Sequence, residues 1–125
     1  QIHQVLMNLC VNAAHAMHET GGVLEVSLVD IDLVSVGVAE YLNINPGPYL
    51  KLTVSDTGHG MDRAVMERVF DPFFTTKGTG KGTGLGLSVA YGIVKNHGGT
   101  IKVYSEPGKG AIFDIFLPRL ESKNL

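Results

Sequence analysis

The sequence contains no tryptophan and only one cysteine, Cys10. One cysteine cannot form an internal disulfide, and this usage fits a reducing compartment. No apolar run approaches the roughly 20 residues that a membrane-spanning helix needs, and no signal-peptide pattern is visible. The formal net charge is −2, so the basic surface typical of nucleic-acid-binding proteins is also missing. Disulfide-rich, membrane-spanning and nucleic-acid-binding classes are therefore disfavoured.

Glycine is the residue type that the sequence has in excess. The chain has 125 residues, 44% of them hydrophobic and 18% charged, which predicts one globular domain with a real core. Eight of its 16 glycines lie between Gly78 and Gly99. Because the enrichment is local, it indicates a site and not general disorder.

The densest part of that region is Gly78–Leu87, where glycine occupies every second position before an apolar run. Glycine lets backbone amides approach a ligand closely, and the start of a helix attracts anions such as a phosphate chain. A flexible surface loop is the alternative. The Rossmann fingerprint is absent, and Lys81 and Lys109 are each followed by glycine, which excludes a P-loop.

Residues 1–18 are predicted to form an amphipathic helix. Its apolar residues recur at steps of three and four, and Asn8, Asn12 and His15 continue a polar stripe that begins at Gln4. Asn8 and Asn12 would present two amides from one face, and amide oxygens are hard ligands that suit Mg²⁺. A solvated polar face is the alternative.

The rest of the chain alternates between strand and helix patterns. Leu24 begins an alternating, half-buried strand that continues weakly to Val34, and a turn at 43–48 leads to a partner strand at 50–55, so a long hairpin is predicted. The remaining predicted elements are a short helix at 61–70, a helix at 85–96 that is apolar on most faces, strands at 100–105 and 111–117, and the turn between them at 106–110.

Two further segments carry possible chemistry. Asp56-Thr57-Gly58-His59-Gly60-Met61 places a carboxylate at a strand end before two glycines, where it can accept a hydrogen bond from an exocyclic amine such as adenine N6. A plain turn is the alternative, and an aspartic protease would need a second, facing Asp. Phe70-Asp71-Pro72-Phe73-Phe74 fits either core packing or an apolar hinge beside a lid.

Taken together and in order, four segments resemble the N, G1, F and G2 boxes of the histidine-kinase ATP-binding domain, whose superfamily includes gyrase B, Hsp90 and MutL. They are Asn8–Ala13, Asp56–Met61, Phe70–Phe74 and Gly82–Leu87, and the resemblance covers about residues 3–117. It implies an α+β fold (an α/β sandwich of the Bergerat type) with a mixed, mostly antiparallel sheet and helices packed on one face. The domain would span residues 1–118, truncated at its N-terminus, with a tail or linker at 119–125.

The resemblance also implies a site for ATP and Mg²⁺. Asn12 would coordinate Mg²⁺ with help from Asn8, and Asp56 would bind adenine N6. Lys81 would stabilise γ-phosphate charge, so Asn8, Asn12 and Lys81 are the implied catalytic residues. The implied nucleotide-binding residues are Asn8, Asn12, His15, Asp56, Gly58, Gly60, Met61, Phe70, Lys77, Lys81, Gly82, Thr83, Gly84, Leu85 and Gly86. His15 departs from the Lys or Arg of many relatives, which would make that contact pH-sensitive.

The implied activity is that of a two-component histidine kinase. ATP-hydrolysing members of the superfamily usually carry Glu where this chain has Asn8, and an amide cannot take a proton. Phosphoryl transfer to a histidine is therefore favoured over the alternatives, an ATPase of the gyrase–Hsp90–MutL type or a non-catalytic nucleotide-sensing module.

The phosphoacceptor pattern of the family is not found, because His18-Glu19 is followed by Thr20 and two glycines. The chain is therefore expected to be a catalytic fragment. Its partners would be the dimerisation domain that carries the phosphoacceptor His and a downstream response regulator, with neither nucleic acid nor direct membrane contact. A monomeric fragment in the cytoplasm is expected, whether or not the parent protein has a membrane anchor.

Overall fold

The computed structural model describes residues 2–19, 21–33, 36–72, 74 and 86–119, the side chains of Val36 and Val38 excepted. The elements, in chain order, are α1 (Ile2–Ala16), β1 (Leu24–Leu33), α2 (Val36–Leu42), β2 (Gly47–Asp56), α3 (Arg63–Arg68), α4 (Gly86–Asn96), β3 (Thr100–Ser105) and β4 (Ala111–Pro118). The strands form one sheet in the order β1-β2-β4-β3. Every neighbouring pair is antiparallel, so the described strands contain no parallel pair of the kind that a mixed sheet would have.

Helices α1 and α4 cover one face of this sheet and form the main core with it. The 3–4 spacing in α1 buries Val5, Leu9 and Ala13. The main cluster comprises Val5, Leu9, Leu52, Val54, Ala90, Ile93, Val94, Ile101, Ala111, Phe113, Ile115 and Leu117. The confirmed fold is therefore an α+β sandwich, with the alternating residues of β2 and β4 facing the helices.

Helix α4 is apolar on most faces, which predicts a buried helix, but the structure buries less of it than this pattern predicts. Only one side of this helix is buried, through Ala90, Ile93 and Val94, whereas Val89 is 38% exposed. The helix packs against α1 and the sheet, and its outer side faces solvent. The exposed side of α4 also carries apolar residues such as Val89, so the sequence pattern overestimates how much of the helix is buried.

A third helix, α2, lies on the opposite face of the sheet and was not predicted. Leu42 packs with Leu33, Tyr49 and Phe116 in a second cluster. Phe116 faces away from Phe113 and Ile115 because side chains alternate along β4. The helices therefore do not all lie on one face, and β1 and β2 pair as predicted but are not joined by a simple hairpin. A helix of seven residues is too short for periodicity to identify.

The edge strand β1 differs from its predicted burial. Val26 pairs with Val54 and Leu28 with Leu52, so both lie on the helix-covered side of the sheet. Nevertheless Val26 is 48% exposed and Leu28 is 59% exposed. The alternation predicted the correct face, but the helical layer does not extend over this edge.

The ends of the helices are set by glycine and capping residues that can be recognised in the sequence. Gly21 ends α1 with a φ of 70°, and its N–H donates to the Met17 carbonyl at 2.8 Å. Asp62 caps α3 by accepting from the Val65 N–H at 2.9 Å. Gly98 follows α4 with a φ of 82°. The loop after β2 contacts the end of α1, and the start of α4 contacts Asn8 in the same helix, so the three segments border one region.

Candidate functional site

The polar stripe of α1 forms one side of this region. Asn8 and Asn12 are half-buried, one helical turn apart, and His15 is exposed in the last turn. The Asn8 side-chain Nδ2 donates to the Gly86 carbonyl at 2.9 Å. This bond joins α1 to the first residue of α4. It uses the nitrogen of the Asn8 amide and leaves its oxygen, the atom that a Mg²⁺ ion binds.

Asp56 ends β2 and is only 6% exposed. Its Oδ1 accepts from the Gly58 N–H at 2.8 Å. Within the described part of the chain, no donor reaches Oδ2. A buried carboxylate oxygen without a donor is costly, so this atom is suited to a hydrogen-bond donor supplied by a ligand.

The loop that follows Asp56 is docked against the C-terminal end of α1. The His59 N–H donates to the Ala16 carbonyl at 3.1 Å, and a Cβ on Gly58 would lie 2.6 Å from the same oxygen. The Thr57 hydroxyl accepts from the Val23 N–H at 2.9 Å, which ties the loop to the start of β1. Packing against Ala16 is therefore enough to require glycine at position 58.

On its other side the same loop rests on the turn between β3 and β4. The Gly108 N–H donates to the His59 carbonyl at 2.7 Å. Gly60 has a φ of 73°, and a Cβ there would collide with the Glu106 carbonyl oxygen. Gly110 has a φ of 82°, and a Cβ there would collide in the same way with the Asp56 carbonyl oxygen. Sequence reasoning treated 106–110 only as a turn, although its two glycines were a visible signal of close backbone approach.

Phe70 is partly buried and packs against the main core. Its ring stacks on Tyr91 with centroids 5.1 Å apart, and it meets the edge of Phe113 at 6.2 Å. Met61 is also partly buried against the main core. These contacts are those of the core-packing alternative, and a contact of Phe70 or Met61 with nucleotide stays a prediction.

The structure thus bonds Asn8 to Gly86, and it docks the loop that carries Asp56, Gly58 and Gly60 on the C-terminal end of the helix that carries Asn8 and Asn12. The other candidates from the glycine-rich stretch and its flank lie outside the described residues; they are Lys77, Lys81, Gly82, Thr83, Gly84 and Leu85. Among the side chains that the structure describes, no three His, Cys, Asp or Glu residues cluster as a metal site. The two Asn amides stay the predicted Mg²⁺ ligands.

Within the same described ranges, no helix has the length and apolar character to cross a membrane.

Comparison with known proteins decides the family. The profile described as "Histidine kinase-, DNA gyrase B-, and HSP90-like ATPase" matches residues 1–121. The chain belongs to this family. Its similarity to the sensor kinase CckA of Brucella abortus is 48% identity over 120 residues, which is 96% of this chain and 13% of that protein.

Solved structures of histidine kinases have the same fold. The catalytic domain of histidine kinase ThkA matches with a TM-score of 0.69 and 30% identity, covering 94% of this chain and 65% of that one. Full-length ShkA in complex with AMPPNP matches with a TM-score of 0.65 and 27% identity, covering 94% of this chain and 21% of that one. The expected family and fold class are confirmed, and the chain spans about an eighth of the length of CckA.

Proposed function

We propose that this chain is the ATP-binding catalytic domain of a two-component sensor histidine kinase, which transfers the γ-phosphoryl group of ATP to a histidine on a separate dimerisation domain. The observation that carries the proposal is Asp56, a buried carboxylate with one oxygen held by Gly58 and the other without a donor from the described residues. The family match and the kinase relatives support the same assignment.

The base would bind at Asp56. Its Oδ2 accepts from the N6 amine of adenine, while the bond from Gly58 to Oδ1 fixes the plane of the carboxylate. An oxygen held in this way selects a base that presents a donor, and rejects one that presents a carbonyl, because two acceptors would then face each other. Gly58 and Gly60 lie against other backbone segments, and the lack of a Cβ would also let the loop backbone pass close beneath the base.

The phosphates would bind between α1 and the start of α4. The amide oxygens of Asn12 and Asn8 are the proposed Mg²⁺ ligands, and Mg²⁺ would neutralise charge on the phosphate oxygens. Gly82–Gly86 would offer backbone amides to the phosphates, Lys81 would stabilise γ-phosphate charge, and Lys77 is a weaker candidate for the same role. His15 would lie at the phosphate end of the polar stripe.

The chemistry needs little from the protein beyond positioning. The imidazole nitrogen attacks phosphorus with its own lone pair as the bond from phosphorus to the β,γ-bridging oxygen breaks, and ADP leaves with that oxygen. No general base has to act on the nucleophile. Water would need one, and the amide of Asn8 cannot accept its proton, which favours kinase over ATPase activity.

The phosphoacceptor histidine, the dimerisation domain and a response regulator are proposed partners outside residues 1–118. CckA is several times longer than this chain, which leaves room in such a protein for other domains. The chain alone is expected to bind nucleotide as a monomer and not to phosphorylate itself.

The first experiment is calorimetric titration with non-hydrolysable analogues of ATP and inosine triphosphate, with and without Mg²⁺. Asp56→Asn can keep its Oδ1 bond to Gly58 while replacing Oδ2 with a donor. We expect wild type to bind the adenine analogue more tightly than the inosine analogue. The variant should bind the adenine analogue at least about tenfold more weakly than wild type does, since a mismatched polar pair is strongly rejected. Asp71→Asn makes the same charge change at an exposed position, and should bind as wild type does.

Equal binding of the adenine analogue by wild type and Asp56→Asn would refute the proposed base site. Transfer is tested with radiolabelled ATP and the separately prepared dimerisation domain of the parent kinase. Label should appear on that domain only when both are present. Stable self-labelling of the chain would contradict the proposed division of labour.

A further inference from the structure

Ser105 ends β3 and makes two hydrogen bonds through its hydroxyl. Its Oγ accepts from the Met61 N–H at 2.8 Å and donates to the Gly110 carbonyl at 2.6 Å. The side chain is half-buried. In the sheet Ser105 pairs with Ala111, and Ala111 pairs with Asp56. The three residues therefore form one row across β3, β4 and β2, on a single face of the sheet.

This hydroxyl links the two ends of the loop that carries the proposed base site. Met61 is the residue where the loop leaves the site. Gly110 contacts the backbone of Asp56, where the loop begins, so closely that a Cβ would not fit. Ser105 thus holds the exit of the loop directly and its entrance through Gly110.

We infer that Ser105 is a positioning residue for nucleotide binding, which holds the Asp56–Met61 loop so that the Asp56 carboxylate faces the base. This inference rests on the proposed function. Ser105 itself is separated from Asp56 by the whole width of β4, so it acts through the loop and not by touching the base.

The two bonds require a hydroxyl. A hydroxyl can donate and accept at once, which alanine and valine cannot do. Threonine retains the hydroxyl and adds one methyl group. An open groove of about 410 Å³ is lined in part by Ser105, Met66 and Val103, and we expect it to accept that methyl group. Threonine and valine at position 105 therefore form a matched pair with the same branched shape and different hydrogen bonding.

The test compares wild type, Ser105→Thr and Ser105→Val by calorimetry with the non-hydrolysable adenine and inosine triphosphate analogues and with inorganic tripolyphosphate. We expect the ratio of adenine to inosine affinity to be about 3- to 10-fold lower in Ser105→Val than in wild type, since each hydrogen bond contributes a modest amount. Ser105→Thr should keep the wild-type preference. Binding of tripolyphosphate, which has no base, should be the same in all three.

The outcomes distinguish failure of the proposed function from failure of the inferred role of Ser105. Wild type that binds neither adenine nucleotide nor tripolyphosphate refutes the proposed function, and this inference with it. A wild type that prefers adenine, together with a Ser105→Val variant of unchanged preference, refutes only the role of Ser105. Equal loss in both variants also refutes it, because shape and not the hydroxyl would then matter. Thermal unfolding without ligand verifies folding, and Ser105→Ala replaces Ser105→Val if the latter is unfolded.

Discussion

The side-chain nitrogen of Asn8 donates to the backbone carbonyl of Gly86 at 2.9 Å, across 78 positions of sequence. The bond joins the helix that carries both candidate Mg²⁺ ligands to the first residue of α4. A glutamate or aspartate at position 8 could not make it, since a carboxylate has no proton to donate at neutral pH. The amide therefore has a structural role here in addition to its proposed role in the reaction.

Asn8→Asp is the sharpest variant for this contact. It removes the donor and turns a charged oxygen toward the Gly86 carbonyl, while the positive N-terminal end of α4 offsets part of the loss. We expect the free energy of unfolding to fall by about 1 kcal/mol without nucleotide, measured by urea denaturation. Asn12→Asp makes the same charge change one turn along α1. It should lower the free energy of unfolding by less than half as much. Equal losses would mean that the bond does not stabilise the fold.

Gly108 and Gly110 provide a matched test of the turn beneath the candidate base site. Both have positive φ, 79° and 82°, but a Cβ on Gly108 would meet nothing within 4 Å, whereas one on Gly110 would collide with the Asp56 carbonyl oxygen. Gly108→Ala should cost about 1 kcal/mol through backbone strain alone. Gly110→Ala should cost about 2 kcal/mol more, because the strands or the loop must shift. Similar denaturation midpoints for the two variants would contradict the close approach.

A substitution at Phe70 tests whether its ring packs in the core or contacts the nucleotide. Phe70→Leu removes the stacking on Tyr91 and the edge contact with Phe113. We expect the free energy of unfolding to fall by about 1–2 kcal/mol. If the ring serves only the core, affinity for the ATP analogue changes less than twofold. Urea denaturation and calorimetry on the same samples measure both quantities. A large loss of affinity at unchanged stability would show that the ring contacts the nucleotide instead.

Tyr49 should make the fold sensitive to alkaline pH. Burial raises the pKa of its phenol above the ordinary value of 10.0, and the hydroxyl donates to the Asn45 carbonyl at 2.6 Å. The neutral phenol is favoured in the folded state. Its contribution to stability is therefore complete below the unfolded pKa and is lost as the pH rises through the higher folded pKa.

Tyr49→Phe tests whether the Tyr49 phenol makes the fold less stable at alkaline pH. At neutral pH the variant should be less stable than wild type by about 1 kcal/mol, because one hydrogen bond is lost. Above about pH 10 wild type should lose stability faster than the variant, so that the difference narrows. Urea midpoints collected at neutral and alkaline pH give the comparison. A constant difference across that range would show that the Tyr49 phenol does not titrate differently on folding.

Several elements could be predicted because their signals are local. The predicted bounds of β3 agree with the structure, and β4 extends one residue beyond its prediction. In both strands β-branched and aromatic residues stand between glycine and proline turns. The helix α1 was predicted from its 3–4 stripe, and Asp56, Gly58 and Gly60 from the end of an alternating strand. The residues of the candidate site could be located from sequence wherever they lie within one short motif, and their binding roles stay predictions.

The features that sequence did not predict depend on contacts between distant segments. The side of the sheet on which α2 packs is set by which residues of β2 and β4 face it, such as Tyr49 and Phe116. The exposure of β1 depends on how far the helical layer extends. The Ser105 hydroxyl bonds Met61, 44 positions away, and one serine in a strand gives no sign of such a partner.

The edge position of β1 has a consequence for amide exchange. β4 is paired on both sides and carries Phe113 and Ile115, which are 1% and 0% exposed. Its amides can exchange with solvent only when most of the domain opens. Within the described sheet β1 is paired on one side only, and Val26 and Leu28 add little burial to hold it. Deuterium should therefore enter from this edge first, through local openings that leave the centre of the sheet protonated.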